Sequence, residues 1–214
     1  MFVQDRMTRN PIIVKSDTPL DEAASLMKKG NFRRLPVVDA GKLVGFFSDR
    51  DLMRVAPSPA TTLSRYEERS LLAQMTVKDV MVRDVVTVQE DDTLEAAALA
   101  MYQHKIGGMP VLSSVGTVVG VITETDIFKA FVDVMGLQEG KDRITVQSDN
   151  KVGVVADIAD IFRANNVSMD SFVTVPQEDG SYHLIVRGDF ADAAALSKKI
   201  EAAGYKVLHQ TRIG

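Results

Sequence analysis

An internal duplication restricts the possible folds of this chain more than any other feature. When Met7 is aligned with Met81, the two copies match position by position as far as Pro36 and Pro110. One additional residue near Gly116 then shifts the alignment by one. The later matches are Gly45 with Gly120, Ser48 with Thr123, and Asp51 with Asp126. The duplication predicts two copies of one small structural unit.

Each copy is predicted to form the order strand, helix, strand, strand, helix. The β-branched runs IIVKS and VVTVQ predict the first strands. Apolar residues within 20–27, and again within 94–101, recur at the spacing of one helix face. Thr18 and Asp92 are predicted to cap these helices, with Pro19 at the first helical position of the first copy. Because the apolar faces match, the copies are expected to pack about a pseudo-twofold axis.

The turn that ends the third strand of each copy allows two interpretations. GFFSDRD and GVITETD, at 45–51 and 120–126, each place an acid three residues after a hydroxyl, as in a capping box. The amino end of a helix is also a place where an anion can bind. A carboxylate there accepts hydrogen bonds from sugar hydroxyls, and the preceding glycine would let a flat ring approach the backbone. The residues alone leave both interpretations open.

The tandem β-α-β-β-α units, each ending in this turn, resemble a pair of CBS domains, known as a Bateman module. The resemblance implies that the hydroxyl and the aspartate of each turn contact the ribose or phosphate of an adenine nucleotide. It implies further contacts from basic residues before the central strand and from the backbone of the first strand. The nucleotide-binding residues nominated in this way are Ile13, Val14, Arg33, Arg34, Pro36, Ser48, Asp51, Thr87, Val88, Thr123 and Asp126.

The two copies differ at the basic positions. The first copy has Arg33 and Arg34, whereas the second has Gly107 and Gly108. Guanidinium groups are preferred partners of phosphate. We therefore expect the cleft served by Asp51 to take the phosphate-bearing ligand. A pair of solvated arginines is the alternative for Arg33 and Arg34.

The last third of the chain predicts a second fold, with the element order β-α-β-β-α-β of a ferredoxin-like domain. Asp179-Gly180 predicts a hairpin, and Gly204 predicts the end of the last helix. With a glycine after its first strand, the segment resembles an ACT domain, a family that often binds amino acids. The resemblance implies ligand contacts at Asn150 and Gly153. The alternative is that Gly153 only eases helix packing.

The predicted organisation is a mixed α+β chain with four parts. These parts are a CBS repeat at 1–56, a linker with a short amphipathic helix at 57–75, a second CBS repeat at 76–136, and an ACT domain at 143–214. The order of two CBS repeats and one ACT domain resembles the AcuB-like group of acetoin-utilisation proteins.

Composition narrows the classes of function. The chain has no cysteine and three scattered histidines, so no metal-ligand spacing is present. A net charge of −4 argues against nucleic-acid binding. No apolar stretch is long enough to span a membrane, and the first residues do not form a signal peptide, so a cytoplasmic protein is expected.

The sequence favours a regulatory sensor without catalytic activity, since no nucleophile–base motif is present. The expected ligand is an adenine nucleotide (AMP, ADP or ATP), with an amino acid as a possible second ligand. A homodimer that acts on an unidentified protein partner is also expected. The alternatives are a sensor of S-adenosylmethionine and a structural dimerisation module whose ligand sites are vestigial.

Overall fold

The computed structural model describes residues 1–55, 67, 70, 72–137 and 140–213. The predicted linker helix, with Leu63, Tyr66 and Leu71, lies outside these residues. The chain divides into two compact units, Met1–Ile127 and Phe128–Gly214. The division falls inside a helix, so the domain limits drawn from the sequence stay a prediction.

The first unit contains both copies of the duplication, and the predicted order of strands and helices is present in each, although the predicted first strand of the first copy is reduced to a bridge at Val14. The elements of the first copy are β1 (Thr8–Arg9), α1 (Leu20–Gly30), β2 (Arg34–Asp39), β3 (Lys42–Ser48) and α2 (Asp49–Val55). Those of the second copy are β4 (Val88–Gln89), α3 (Leu94–His104), β5 (Gly108–Leu112), β6 (Val118–Thr123) and α4 (Glu124–Val134). α4 continues into the second unit.

Strand pairing is equivalent in the two copies. In the second copy β4 runs parallel to β5, with Val88 opposite Val111. In the first copy the same contact is reduced to a single parallel bridge between Val14 and Val37. The antiparallel hairpins β2–β3 and β5–β6 complete the two sheets, and each carries an irregularity of register at the equivalent step.

The amino-terminal segment of each copy pairs with the other copy. Thr8 of β1 lies opposite Val121 of β6, and Val82 lies opposite Phe46 of β3. The amide of Val77 donates to the carbonyl of Thr18, and Val77 is fully buried in the core of the first copy. Each hydrophobic core is thus closed by a segment from the other copy, which holds the two copies together.

The helix starts differ by one residue from the prediction. α1 begins after Pro19, and α3 begins after Thr93, whose hydroxyl accepts a hydrogen bond from the amide of Ala96. The predicted caps instead stabilise the preceding turns: Thr18 Oγ1 accepts from the amide of Lys15, and Asp92 Oδ2 accepts from the amide of Gln89. A short polar side chain serves a turn as readily as a helix, so the residue type alone could not decide.

The second unit has the predicted β-α-β-β-α-β order. Its elements are β7 (Lys141–Ser148), α5 (Val154–Ala164), β8 (Ser171–Pro176), β9 (Tyr182–Gly188), α6 (Ala193–Ala202) and β10 (Lys206–Ile213). The four strands form one antiparallel sheet in the order β10-β7-β9-β8. Ile144, Val146, Ile158 and Phe162 form the centre of its core. No helix among the described residues is long and apolar enough to cross a membrane.

Candidate ligand-binding clefts

In both copies the aspartate of the repeated turn accepts hydrogen bonds from the hydroxyl residue three positions earlier. Oδ2 of Asp51 accepts from the amide of Ser48 at 2.9 Å and from its hydroxyl at 2.6 Å. Oδ2 of Asp126 accepts from the amide and hydroxyl of Thr123 at the same two distances. The amide of Asp51 also donates to Oγ of Ser48 at 3.4 Å, so the capping box is complete in the first copy, whereas in the described residues of the second copy the aspartate side of the box alone is formed. α2 and α4 each begin directly after the hydroxyl residue.

The two aspartates differ in their second oxygen. Asp51 is buried, and its Oδ1 forms an ion pair with Arg54. Asp126 is half-buried, and no described residue donates to its Oδ1. Asp126 therefore keeps an acceptor for a ligand, whereas Asp51 would have to share or release Arg54.

Beside each turn lies a cavity bounded by both copies. The Ser48 cleft has a volume of about 380 Å³. It is lined by Ser48, Asp49, Arg50, Asp51, Arg54, Phe46 and Arg34 of the first copy, and by Val82, Asp84, Val85, Val86 and Lys105–Gly108 of the second. Its walls come from the turn of one copy and from two segments of the other.

The Thr123 cleft is the equivalent cavity on the other side, with a volume of about 330 Å³. It is lined by Thr123 and Val121 of the second copy, and by Thr8, Asn10, Pro11, Ile12, Gly30 and Phe32–Arg34 of the first. Aligned by the duplication, most of these residues fall on the lining of the Ser48 cleft. Both volumes lie within the range of about 300–1,000 Å³ that is typical of small-molecule sites.

Arg34 lines both clefts. A side chain at Gly107 would overlap its guanidinium group, and one at Gly108 would lie 3.2 Å from Arg34 Nε. The two glycines therefore leave the space that this one arginine fills. Burial lowers the pKa of Arg34, and the carboxylates of Asp49 and Glu124 oppose that shift.

Arg33 does not lie beside Asp51, contrary to the prediction. Its side chain is exposed and lines the Thr123 cleft. The reason is the exchange between copies, which places the basic segment of the first copy opposite the turn of the second. The expectation that both arginines serve the cleft of Asp51 is therefore wrong for Arg33.

Gly45 and Gly120 do not provide an approach for a ligand ring. A side chain at Gly45 would overlap Sδ of Met81, and one at Gly120 would overlap Sδ of Met7. Each methionine comes from the amino-terminal segment of the other copy. The glycines are needed for packing between the copies, so the ligand interpretation of these two positions is wrong.

The nominated first-strand residues lie away from the cleft linings. Val14 and Val88 are buried, Ile13 is exposed, and Thr87 is half-buried. Pro36 is buried on β2, opposite Phe46. The cleft walls use the two residues immediately upstream instead: Pro11 and Ile12 on one side, and Val85 and Val86 on the other. These two pairs of residues occupy equivalent positions in the duplication, which is the sequence signal that could have identified them.

In the second unit, Asn150 lines a shallow cavity of about 180 Å³ together with Ser148, Val154, Thr174 and Tyr182. Gly153 precedes α5 with a φ of 97°, in the left-handed region that favours glycine. No atom lies within 4 Å of the place where its side chain would begin. Backbone conformation, rather than close packing, requires a glycine there.

The family description "CBS domain" matches residues 3–58 and 77–133, together more than half of the chain. An uncharacterised protein of Methanocaldococcus jannaschii is 32% identical over 130 residues, which are 60% of this chain and 46% of that protein. This chain therefore spans about half the length of that relative.

Three solved structures show the same pairing of repeats. A protein assigned to acetoin utilization (AcuB) in Vibrio cholerae is 33% identical, with a TM-score of 0.52 over 64% of this chain and 95% of its own. The CBS domain pair of protein MJ0100, in complex with 5-methylthioadenosine and S-adenosyl-L-methionine, is 30% identical (TM-score 0.51, 61% of this chain and 95% of that one). CBSX2 in complex with AMP is 28% identical (TM-score 0.51, 61% and 96%).

Proposed function

The chain belongs to the CBS domain family, and from this premise we propose that it is a non-catalytic sensor of adenine nucleotides. The observation that carries the proposal is the pair of equivalent clefts, each of which joins the hydroxyl residue of a repeated turn, itself bonded to the aspartate of that turn, to an apolar wall and the shared Arg34. The apolar wall suits an adenine ring, the carboxylate suits ribose hydroxyls, and the guanidinium suits a phosphate. AMP is the first ligand to test, because a related CBS protein was solved in complex with it.

The second unit has the β-α-β-β-α-β architecture of the proposed ACT domain. We propose that a small amino acid would bind in the cavity of Asn150, near Gly153 at the start of α5. The likeness to the Vibrio cholerae protein supports the proposed place in the AcuB-like group. A cytoplasmic homodimer that relays ligand binding to a protein partner completes the proposal.

Two observations favour other functions. The CBS pair of MJ0100 holds S-adenosyl-L-methionine, so a sulfonium compound is a second candidate ligand. The turns also satisfy their own hydrogen bonds, which is what a purely structural module with vestigial sites would require.

Isothermal titration with AMP, ADP, ATP and S-adenosylmethionine tests these candidates directly. Under the sensor proposal, AMP at 100 times its dissociation constant stabilises the protein by about 2.7 kcal/mol. Asp126→Asn in the Thr123 cleft and Asp51→Asn in the Ser48 cleft are each expected to weaken ligand binding in their own cleft about tenfold or more, since a hydrogen bond to a charged group contributes about 1.5–3 kcal/mol.

Loss of a helix cap is the confounding effect, and Thr93→Ala is its matched control. Thr93 caps α3 through the amide of Ala96 and is absent from both cleft linings. The variant is expected to lose about 1 kcal/mol of stability without a change in AMP affinity. Unchanged AMP affinity in both aspartate variants would refute the site, and binding of S-adenosylmethionine alone would replace the nucleotide by the sulfonium ligand.

A further inference from the structure

Arg34 is the central observation, because one guanidinium lies where two equivalent clefts meet. The duplication places Gly108 at the position equivalent to Arg34, so the second copy supplies no matching cation there. None of the described residues accepts a hydrogen bond from the Arg34 guanidinium. The group is half-buried, with the carboxylates of Asp49 and Glu124 near it, and it lines both clefts, where its N–H donors can bind a ligand.

The linings of the two clefts differ in charge. Among the described residues that line the Thr123 cleft, Arg33 and Arg34 carry the charged side chains, and none carries a carboxylate. Asp126, in the first turn of α4, accepts hydrogen bonds from the amide and hydroxyl of Thr123 through one of its two oxygens. A phosphate in this cleft would meet two guanidinium groups, which can bind it through paired N–H donors.

The Ser48 cleft is more balanced in charge. Its lining includes the carboxylates of Asp49, Asp51 and Asp84. Of its cations, Arg54 is paired with Asp51, and the exposed side chains of Arg50 and Lys105 are screened by solvent. Without Arg34, this cleft has no partly buried cation among its described lining residues to offset Asp49 and Asp51.

We infer that the two clefts take ligands of different charge: a phosphate-bearing adenine nucleotide in the Thr123 cleft and an uncharged adenosine compound in the Ser48 cleft. The inference rests on the proposed nucleotide function and names the ligand class of each cleft. A nucleotide phosphate in the Thr123 cleft binds the guanidinium of Arg34. That guanidinium is then no longer available to a ligand in the Ser48 cleft. A second phosphate in the Ser48 cleft would then face the half-buried carboxylate of Asp49 without that guanidinium, and like charges repel more strongly where they are partly withdrawn from water. One module therefore binds one anionic ligand.

Calorimetric titration with AMP and with adenosine on the full chain measures the stoichiometry. AMP alone is expected to saturate at one molecule per chain, and adenosine added to the AMP-saturated protein is expected to bind once more. Two equivalent AMP sites per chain would overturn the inference. So would an AMP-saturated protein that binds no adenosine.

Three single substitutions locate the effect. Arg34→Met is expected to weaken AMP binding about tenfold or more, while adenosine still binds. Arg33→Met is expected to weaken AMP binding less, because the side chain of Arg33 is exposed and its charge is screened by solvent. Arg163→Met removes an exposed arginine that lines neither cleft and is expected to leave AMP affinity unchanged. Thermal unfolding of each variant checks that its fold is intact. Full AMP affinity in Arg34→Met, or a loss confined to Arg163→Met, contradicts the assignment.

The outcomes separate the inference from the function on which it rests. If neither AMP nor adenosine binds, the proposed nucleotide function itself fails. If both bind but AMP occupies the two clefts equally, or AMP displaces adenosine from the Ser48 cleft, the function stands and only the division of ligands fails.

Discussion

Gly45 and Gly120 show how far a single residue can be interpreted from the sequence. Their recurrence in the duplication was visible, and so was the need for a residue without a side chain. The side chain that fills the space at each glycine was not visible, because Met81 and Met7 come from the amino-terminal segment of the other copy. Residue types within one turn specify local hydrogen bonds, whereas contacts between distant segments require the fold.

Gly45→Ala tests this packing. The new methyl group would overlap the Met81 side chain, so we expect a loss of about 1–3 kcal/mol of stability, the usual effect of overpacking. The measurement is urea denaturation of the variant, of Met81→Ala and of the double variant. The double variant is expected to recover most of the loss specific to Gly45→Ala, because the shorter side chain gives the methyl group room. Additive effects in this cycle would show that the two positions are not coupled.

The repeated hydroxyl and aspartate are the site residues that the sequence predicts best. Their capping geometry follows from a spacing of three residues, so it needs no information beyond the turn itself. Arg33 was assigned to the wrong cleft for the opposite reason, since its neighbour across the cavity is set by the exchange of segments. Comparison of the two copies indicated only that the first copy has arginines where the second has glycines.

At the level of elements, the sequence predicted the type and order of the helices and strands more reliably than their limits. The runs IIVKS and VVTVQ were predicted as comparable strands, yet the first forms a single bridge and the second a two-residue strand. Both runs lie at the edge of a sheet, where the number of paired residues depends on the neighbouring chain. The second unit, whose longer strands each have a neighbour to pair with, shows the predicted order of strands and helices.

The sheet of the second unit carries an unusual pair of arginines. Arg143 on β7 lies directly opposite Arg187 on β9, and Ser171 flanks Arg187 on β8. Arg187 is buried, and its Nε and Nη1 atoms have no hydrogen-bond partner. Burial is the larger cause that lowers the pKa of Arg187, and repulsion from the charge of Arg143 is the smaller. This arrangement destabilises the sheet, because buried donors without partners and opposed like charges are both unfavourable.

Replacing Arg187 by methionine is therefore expected to stabilise the second unit, by about 1–3 kcal/mol from the removal of unpaired buried donors. Chemical denaturation followed by circular dichroism provides the measurement. Arg143→Met is the matched control: its side chain is less buried and contacts His209, so a smaller gain is expected. A large loss of stability in Arg187→Met would show that the guanidinium has a partner in solution.

For the molecule as a whole, the duplication predicted two equivalent repeats but not their exchanged segments. Matching apolar faces indicate that the copies pack together, and many connections would satisfy that requirement. The observed one pairs Thr8 with Val121 and Phe46 with Val82, so each repeat is completed by the other. An isolated repeat would leave its core open at Val77 or at the equivalent Val3, both fully buried here.

The predicted homodimer can be tested on the exposed face of α4. Phe128 and Phe131 are 67% and 49% exposed, their ring centroids lie 6.2 Å apart, and Val134 extends the same surface. Contiguous exposed apolar residues of this kind mark interaction surfaces, and a second copy would cover them. Phe131→Ser combined with Phe128→Ser is expected to shift the protein from dimer to monomer in analytical ultracentrifugation.

Val115, 81% exposed in the turn between β5 and β6, provides the control, since Val115→Ser removes a lone apolar side chain and should leave the mass unchanged. An unaltered dimer in the double phenylalanine variant would place the interface elsewhere, and a monomeric parent protein would refute the predicted dimer itself.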